Sequence, residues 1–377
     1  MQQLFFDTAS GKGKLLVEII REREEETDMW VLPDHEMLQY SGRIDFEDRL
    51  APVLVYACTS VRLVFFGTSV KVTLCNHRSC WTNEMGYFVD EVQGKITLSD
   101  GEEKETYTLA ENLAEGWHEL LFFKRMDSCH TVTFYGFEVE GENPKLRMPL
   151  LKPERRIEFF GDSVSCGEVS EALDYVGKED PVHDGEYSNS WYSYAWMTAR
   201  KLDAEIHDTS QGGIALLDDT GWFAAPHYRG VESCYDKIEY HPDLGNIKKW
   251  DFSNYTPHVV VVAIGQNDSN PIDYMAEDYH GEKAIDWRKH YRAFIEKLMD
   301  IYPKAQIILT TTILCHHENW DKSIDEVCQE IASSRVHHFL YTRNGIGTPG
   351  HIRIPEAEEM SCELTAYIES FGEDIWN

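Results

Sequence analysis

Six consecutive apolar residues, Val259-Val260-Val261-Val262-Ala263-Ile264, constrain this chain more than any other feature. A β-branched run without polar alternation reads as a strand buried on both faces, the mark of a parallel sheet covered by helices. It stops at Gly265-Gln266-Asn267-Asp268, so an Asn side chain lies just past a buried strand end. A second apolar strand, 156–160, runs straight into Gly161-Asp162-Ser163. Ligands of open α/β sheets bind at the carboxyl ends of strands, where such a serine presents its hydroxyl. Taken alone, Gly-Asp-Ser is also ordinary turn chemistry.

The rest of the second half fits that sheet. Amphipathic spacing predicts helices over 191–202, 285–301, 324–332 and 355–371, with further strands at 305–314 and 336–341. Alternating β and α elements imply a parallel three-layer sheet. Before Pro144 the pattern differs. Short alternating segments at 15–20, 53–56, 61–66, 70–74, 87–89, 119–123 and 131–139 are separated by turns such as Ser99-Asp100-Gly101, which reads as a β-sandwich. At 377 residues, 42% of them hydrophobic, the chain supports two sizeable cores. The expected organisation is a β-sandwich domain over 1–150 and an α/β domain over 151–377.

Two more segments carry chemistry. Asp208-Thr209-Ser210-Gln211-Gly212-Gly213 places a glycine pair after a short strand, where backbone N–H groups approach a ligand closely. Gly347-Thr348-Pro349-Gly350-His351 puts a histidine in a loop before the last helix. Acyl transfer needs a nucleophile, a base and donors for the developing oxyanion. Ser163, a backbone N–H from Gly212 or Gly213, Asn267 and His351 supply those types in chain order.

These four segments resemble the blocks of the SGNH (GDSL-type) hydrolases, over roughly residues 150–377. The resemblance implies a three-layer α/β/α fold with Ser163 as nucleophile and His351 as base. The oxyanion donors would be the Ser163 N–H, Gly212 or Gly213, and Asn267. One position departs from the pattern: most of that superfamily has an Asp three residues before the His, and here residue 348 is Thr. A hydroxyl does not stabilise an imidazolium as a carboxylate does. Either a backbone carbonyl orients His351, giving a dyad, or a carboxylate from elsewhere does, with Asp162, Glu356 and Glu358 nearest in sequence. A plain loop histidine is the alternative. The usual Pro after the His is Ile352.

The order of sandwich then SGNH domain looks like carbohydrate esterase family 2, whose jelly-roll-like N-terminal domain is resembled by Tyr40-Ser41-Gly42-Arg43-Ile44-Asp45, Phe65-Phe66-Gly67-Thr68-Ser69-Val70 and Tyr87-Phe88-Val89-Asp90. That likeness implies removal of acetyl groups from plant xylo- or manno-oligosaccharides, an acetylated oligosaccharide as the partner, and chemistry that requires neither metal nor organic cofactor. An SGNH esterase or lipase for other acyl esters, and a non-catalytic carbohydrate-binding protein, are the rival readings.

Trp222 and Trp320 are candidates for stacking on sugar faces, against the alternative of packing. His316-His317 reads as an exposed loop, since adjacent histidines point apart and no second cluster has ligand spacing. Nine scattered cysteines suggest reduced thiols. With no basic-then-apolar leader at Met1, the expectation is a cytoplasmic protein. A formal charge of −31 opposes nucleic acid and anionic membranes as partners and is compatible with a neutral substrate.

Overall fold

The computed structural model describes residues 28–245 and 247–377. The strand expected over 15–20 and the charged run 21–26 lie outside them. From Asp28 to Arg147 the chain forms two antiparallel sheets packed face to face. One contains Ser69–Arg78, His130–Glu140 and Glu105–Ala110; the other contains Ser60–Gly67, Gly116–Lys124, Glu84–Val89 and Val92–Thr97. Between them Val61, Leu63, Phe65, Val72, Leu74, Leu120, Phe122, Phe134 and Phe137 form one core.

Five parallel strands follow: β1 Arg155–Phe160, β2 Ala204–Asp208, β3 Val259–Ala263, β4 Gln306–Thr310 and β5 Val336–His338. Their order across the sheet is 2-1-3-4-5. The strand order reverses between β1 and β3, and the crevice at their carboxyl ends is where such sheets take ligands. Helices cover both faces. Val260 and Val262 pack with Trp287, Tyr291, Phe294 and Leu298 of Glu282–Ile301, whereas Val259 and Val261 pack with Met360, Leu364 and Ile368 of Ile354–Glu369. The unbroken valine run is thus two interleaved faces, each buried under its own helix layer.

Expected boundaries move by a few residues. The helix expected over 191–202 is Tyr194–Lys201, capped by Ser193, and a 3-10 turn Ser190–Tyr192 precedes it. The strand expected over 305–314 stops at Thr310; Thr312 turns its hydroxyl to the Gln266 carboxamide at 2.7 Å instead.

The sandwich and the parallel sheet share buried surface. Along Gly116–Lys124, Leu120 and Phe122 enter the sandwich core, while Leu121 and Phe123 point the other way into the core of the α/β half. Phe123 meets Trp196 edge-on at 5.3 Å. A buried ion pair also crosses the junction. Arg43 of the sandwich contacts Glu158 of β1 at 2.9 Å, with both side chains fully buried. Glu158 accepts further hydrogen bonds from Thr209 (2.8 Å) and Tyr302 (2.6 Å), and Arg43 donates to the Tyr235 and Lys237 carbonyls. A buried pair survives desolvation only with its remaining groups satisfied in this way. The strand that delivers Ser163 is thereby anchored to the other half of the molecule.

Candidate active site

The turn after β1 is built around close approach. A Cβ on Gly161 would stand 2.1 Å from Ser165 Oγ, so glycine alone fits. Asp162 caps the short helix α1, Ser163–Cys166, by accepting the Val164 N–H at 3.0 Å. Its second oxygen accepts from Gln266 (2.7 Å) and Asn267 (3.2 Å), tying this turn to the loop after β3. Burial raises the Asp162 carboxyl to about 6, against those hydrogen bonds.

Ser163 Oγ lies 2.9 Å from His351 Nε2. On the other side of the ring, His351 Nδ1 lies 2.6 Å from Asp180 Oδ2. An ionised carboxylate only accepts, so Nδ1 carries the proton, and in the neutral ring Nε2 accepts from the serine hydroxyl. Asp180 also accepts the His351 backbone N–H at 2.8 Å and pairs with buried Arg353 at 2.9 Å. A Cβ on Gly350 would sit 2.6 Å from Asp180 Oδ1, so the Gly350 position admits the loop carrying that carboxylate. Despite partial burial, His351 and Arg353 hold Asp180 well below the usual carboxylate range. For His351 burial acts downward, but Glu168, Asp180 and Asp162 outweigh it and bring the ring to about 9.

Asp180 thus takes the position that the local sequence left open. None of the three nearest carboxylates is there. Asp162 serves α1 and the β3 loop, Glu356 accepts from the Arg353 and Gly177 N–H groups at 2.9 Å each, and Glu358 pairs with Lys201 at 2.6 Å. Thr348 lies alongside Leu314, and its carbonyl accepts the Cys315 N–H. The sandwich steadies the segment containing Asp180: Arg125 donates to the Ser188 carbonyl at 3.0 Å and pairs with Glu171 at 2.6 Å.

The glycine pair divides. Gly212 donates its N–H to Asp127 Oδ2 of the sandwich at 2.6 Å, and Gln211 donates to the same oxygen at 2.9 Å. Gly212 is therefore not a free donor here, a correction to its candidacy for the oxyanion. Gly213 has a left-handed φ of +72°, and the turn closes by Ile214 N–H to the Gln211 carbonyl at 3.2 Å. Asn267 reaches the same corner, donating to the Ile214 carbonyl at 3.1 Å as well as to Asp162.

The two tryptophan candidates also separate. Trp222 is 63% exposed, with its Cβ 2.8 Å from where a Gly213 Cβ would be, so its ring stands on the rim beside the glycine turn. Trp320 is fully buried, edge-on to Tyr274 and Trp287 with its indole N–H on Asp273; of the two alternatives for this candidate it is core packing and not a sugar platform. His316 is not the exposed loop residue expected. Its ring is buried between the Leu314 carbonyl (2.6 Å) and Asp321 (3.0 Å).

With this geometry in place, likeness to known proteins becomes informative. Residues 40–149 match the family model described as carbohydrate esterase 2 N-terminal. The chain is 34% identical over 351 residues to the cellulase/esterase CelE of Acetivibrio thermocellus, covering 89% of this chain and 40% of that protein's length. An acetylxylan esterase/glucomannan deacetylase of Cellvibrio japonicus is 29% identical over 337 residues, 87% of each protein. Its N-terminal domain thus matches that of carbohydrate esterase family 2, and both relatives are similar to the chain over most of its length. A family 2 carbohydrate esterase from Clostridium thermocellum, solved in complex with cellohexaose, superposes on this chain with a TM-score of 0.73 at 27% identity, covering 89% of this chain and 98% of that one. That likeness spans both the sandwich and the parallel sheet. In this chain, Asp127, Arg125 and Arg43 of the sandwich reach the glycine turn, the Asp180 segment and β1 respectively.

Proposed function

We propose that the chain is a serine carbohydrate esterase that removes acetyl groups from plant-derived xylo- or manno-oligosaccharides. The observation that carries this reading is the continuous Ser163–His351–Asp180 hydrogen-bonded series at 2.9 and 2.6 Å. The names of the similar proteins, an acetylxylan esterase/glucomannan deacetylase and a carbohydrate esterase bound to cellohexaose, support the substrate class.

In the proposed reaction, His351 Nε2 takes the Ser163 proton as Oγ attacks the acetyl carbonyl. Asp180 keeps the proton on Nδ1 and stabilises the imidazolium that forms. The oxyanion is held by the N–H groups of Ser163 and Gly213 and by Asn267, which turns from Ile214 toward the acyl oxygen. Gly212 instead secures the turn through Asp127. His351 then returns its proton to the sugar oxygen, which leaves as an alcohol, and water hydrolyses the acetyl-serine by the same route. Trp222 offers its exposed ring to a sugar face at the rim.

Incubating wild type and Ser163→Ala with acetylated xylo- and manno-oligosaccharides, while following acetate and product mass, tests the reading. Acetate from wild type alone supports it. Acetate from neither, with longer acyl esters cleaved, would move the assignment to a different esterase, and glycan binding without any ester cleavage would move it to a binding protein.

A further inference from the structure

Four carboxylates surround the reacting groups, and three are fully engaged. Asp162 accepts from Val164, Gln266 and Asn267; Asp180 accepts from His351 twice and pairs with Arg353; Asp127 accepts from Cys129, Gln211 and Gly212. Glu168 is the exception. Among the described residues no donor makes a hydrogen bond to its carboxylate, although its side chain is only 11% exposed.

Its placement is not accidental to the turn. Gly167, with a left-handed φ of +77°, ends α1, and the Glu168 N–H returns to the Ser163 carbonyl at 3.0 Å. The carboxylate is thereby folded back beside the nucleophile. Oε2 lies 3.9 Å from His351 Nε2, the nitrogen that meets Ser163 Oγ, and 2.9 Å from where a Gly212 Cβ would stand. The side chain is partly buried, with its oxygens open at the cleft, so this acceptor can take an O–H that a ligand brings, and a hydrogen bond to a charged group is stronger than one between neutral groups. A sugar ester offers such an O–H where the hydroxyl next to the esterified carbon is free.

Resting on the esterase reading above, we propose that Glu168 is a specificity-determining residue: it accepts a hydrogen bond from the free hydroxyl adjacent to the acetylated carbon and so selects partially acetylated diols. Hydroxyl-bearing leaving groups are thereby favoured over otherwise equal ones that lack it. Burial raises Glu168 to about 7, with Asp127, Asp180 and Asp162 adding to the rise and His351 opposing it, so the acceptor form predominates on the alkaline side.

The test compares a mono-acetylated methyl xyloside that keeps the neighbouring hydroxyl with its deoxy analogue at the same carbon. Wild type, Glu168→Ala and Glu168→Gln are each assayed on the plateau of their own pH profile, with circular dichroism melts as a folding control. Wild type is expected to prefer the hydroxyl-bearing ester by about 10- to 100-fold in kcat/KM, the range for a hydrogen bond to a charged group. Glu168→Ala should bring that ratio close to one, and Glu168→Gln should retain part of it because its amide oxygen still accepts. A ratio in Glu168→Ala equal to that of wild type overturns the proposal while leaving the esterase intact. Hydrolysis of neither ester by wild type removes the esterase reading itself, and this proposal with it.

Discussion

His351 and Asp180 stand 171 residues apart in the chain and 2.6 Å apart in the fold. Among the described residues, the other hydrogen bond and ion pair of the Asp180 carboxylate, with the His351 N–H and with Arg353, come from the same three-residue stretch at the head of the last helix. The carboxylate is therefore committed to holding one imidazole. Asp180→Asn should fold normally and lower kcat by roughly 10³- to 10⁴-fold, because an amide no longer fixes the productive tautomer. Glu358→Gln, which loses only a surface pair with Lys201, should retain near-wild-type turnover. Acetate release measured on the two proteins side by side decides between them.

Activity should depend on an unusually basic histidine. The groups that raise His351 are Glu168 and Asp162 on the nucleophile's turn and Asp180 on the opposite side, and together they carry it to about 9. A general base works only when deprotonated, so kcat/KM should climb through neutral pH and level off above about 9. Removing an anion lowers a neighbouring imidazole's pKa, so Glu168→Gln should shift this acid limb to lower pH. A limb that stays in place in that variant would contradict the electrostatic account.

Arg43→Met should test how far the sandwich supports the active half. It leaves Glu158 buried and without its cation, a change that typically costs about 3–5 kcal/mol. The loss should appear as a lower urea midpoint with an unchanged slope. Adding Glu158→Gln to the same protein should recover part of it, since the stranded charge is then gone.

Trp222→Ala and Trp320→Ala should separate cleanly. Trp320 is enclosed by Tyr274 and Trp287, and its truncation should cost about 3–5 kcal/mol of stability. Trp222 stands exposed, so its truncation should change stability by no more than about 0.5 kcal/mol. Its effect should fall on KM for oligosaccharides. Thermal melts and steady-state kinetics on both variants provide the check.

Removing the Asn267 amide should lower kcat by about 10²- to 10³-fold, the usual effect of losing one oxyanion donor. Because Asn267 also bridges Asp162 and Ile214, Asn267→Ala should be accompanied by a melt that reports any loosening of the two turns.

The sequence by itself determined the elements and the order of the motifs, since both are written in short-range patterns. The valine run of β3, the alternation along Gly116–Lys124 and the amphipathic spacing of Glu282–Ile301 each depend on neighbours a few residues away. Ser163, Asn267 and His351 were legible for the same reason: each follows a strand or precedes a helix that its own segment announces. The glycine at 350 was a visible hint that something approaches His351, though not of what. Asp180 lies in an irregular stretch without periodicity, and only the path of that stretch past the last helix brings it to the ring. The same holds across the junction, where Asp127 claims the Gly212 N–H and thereby distinguishes two adjacent glycines that look equivalent in sequence. Trp222 and Trp320 differ for a like reason, because burial belongs to the surroundings and not to the residue. What tertiary structure alone decided are these long-range pairings, since a side chain's partner depends on where distant backbone arrives.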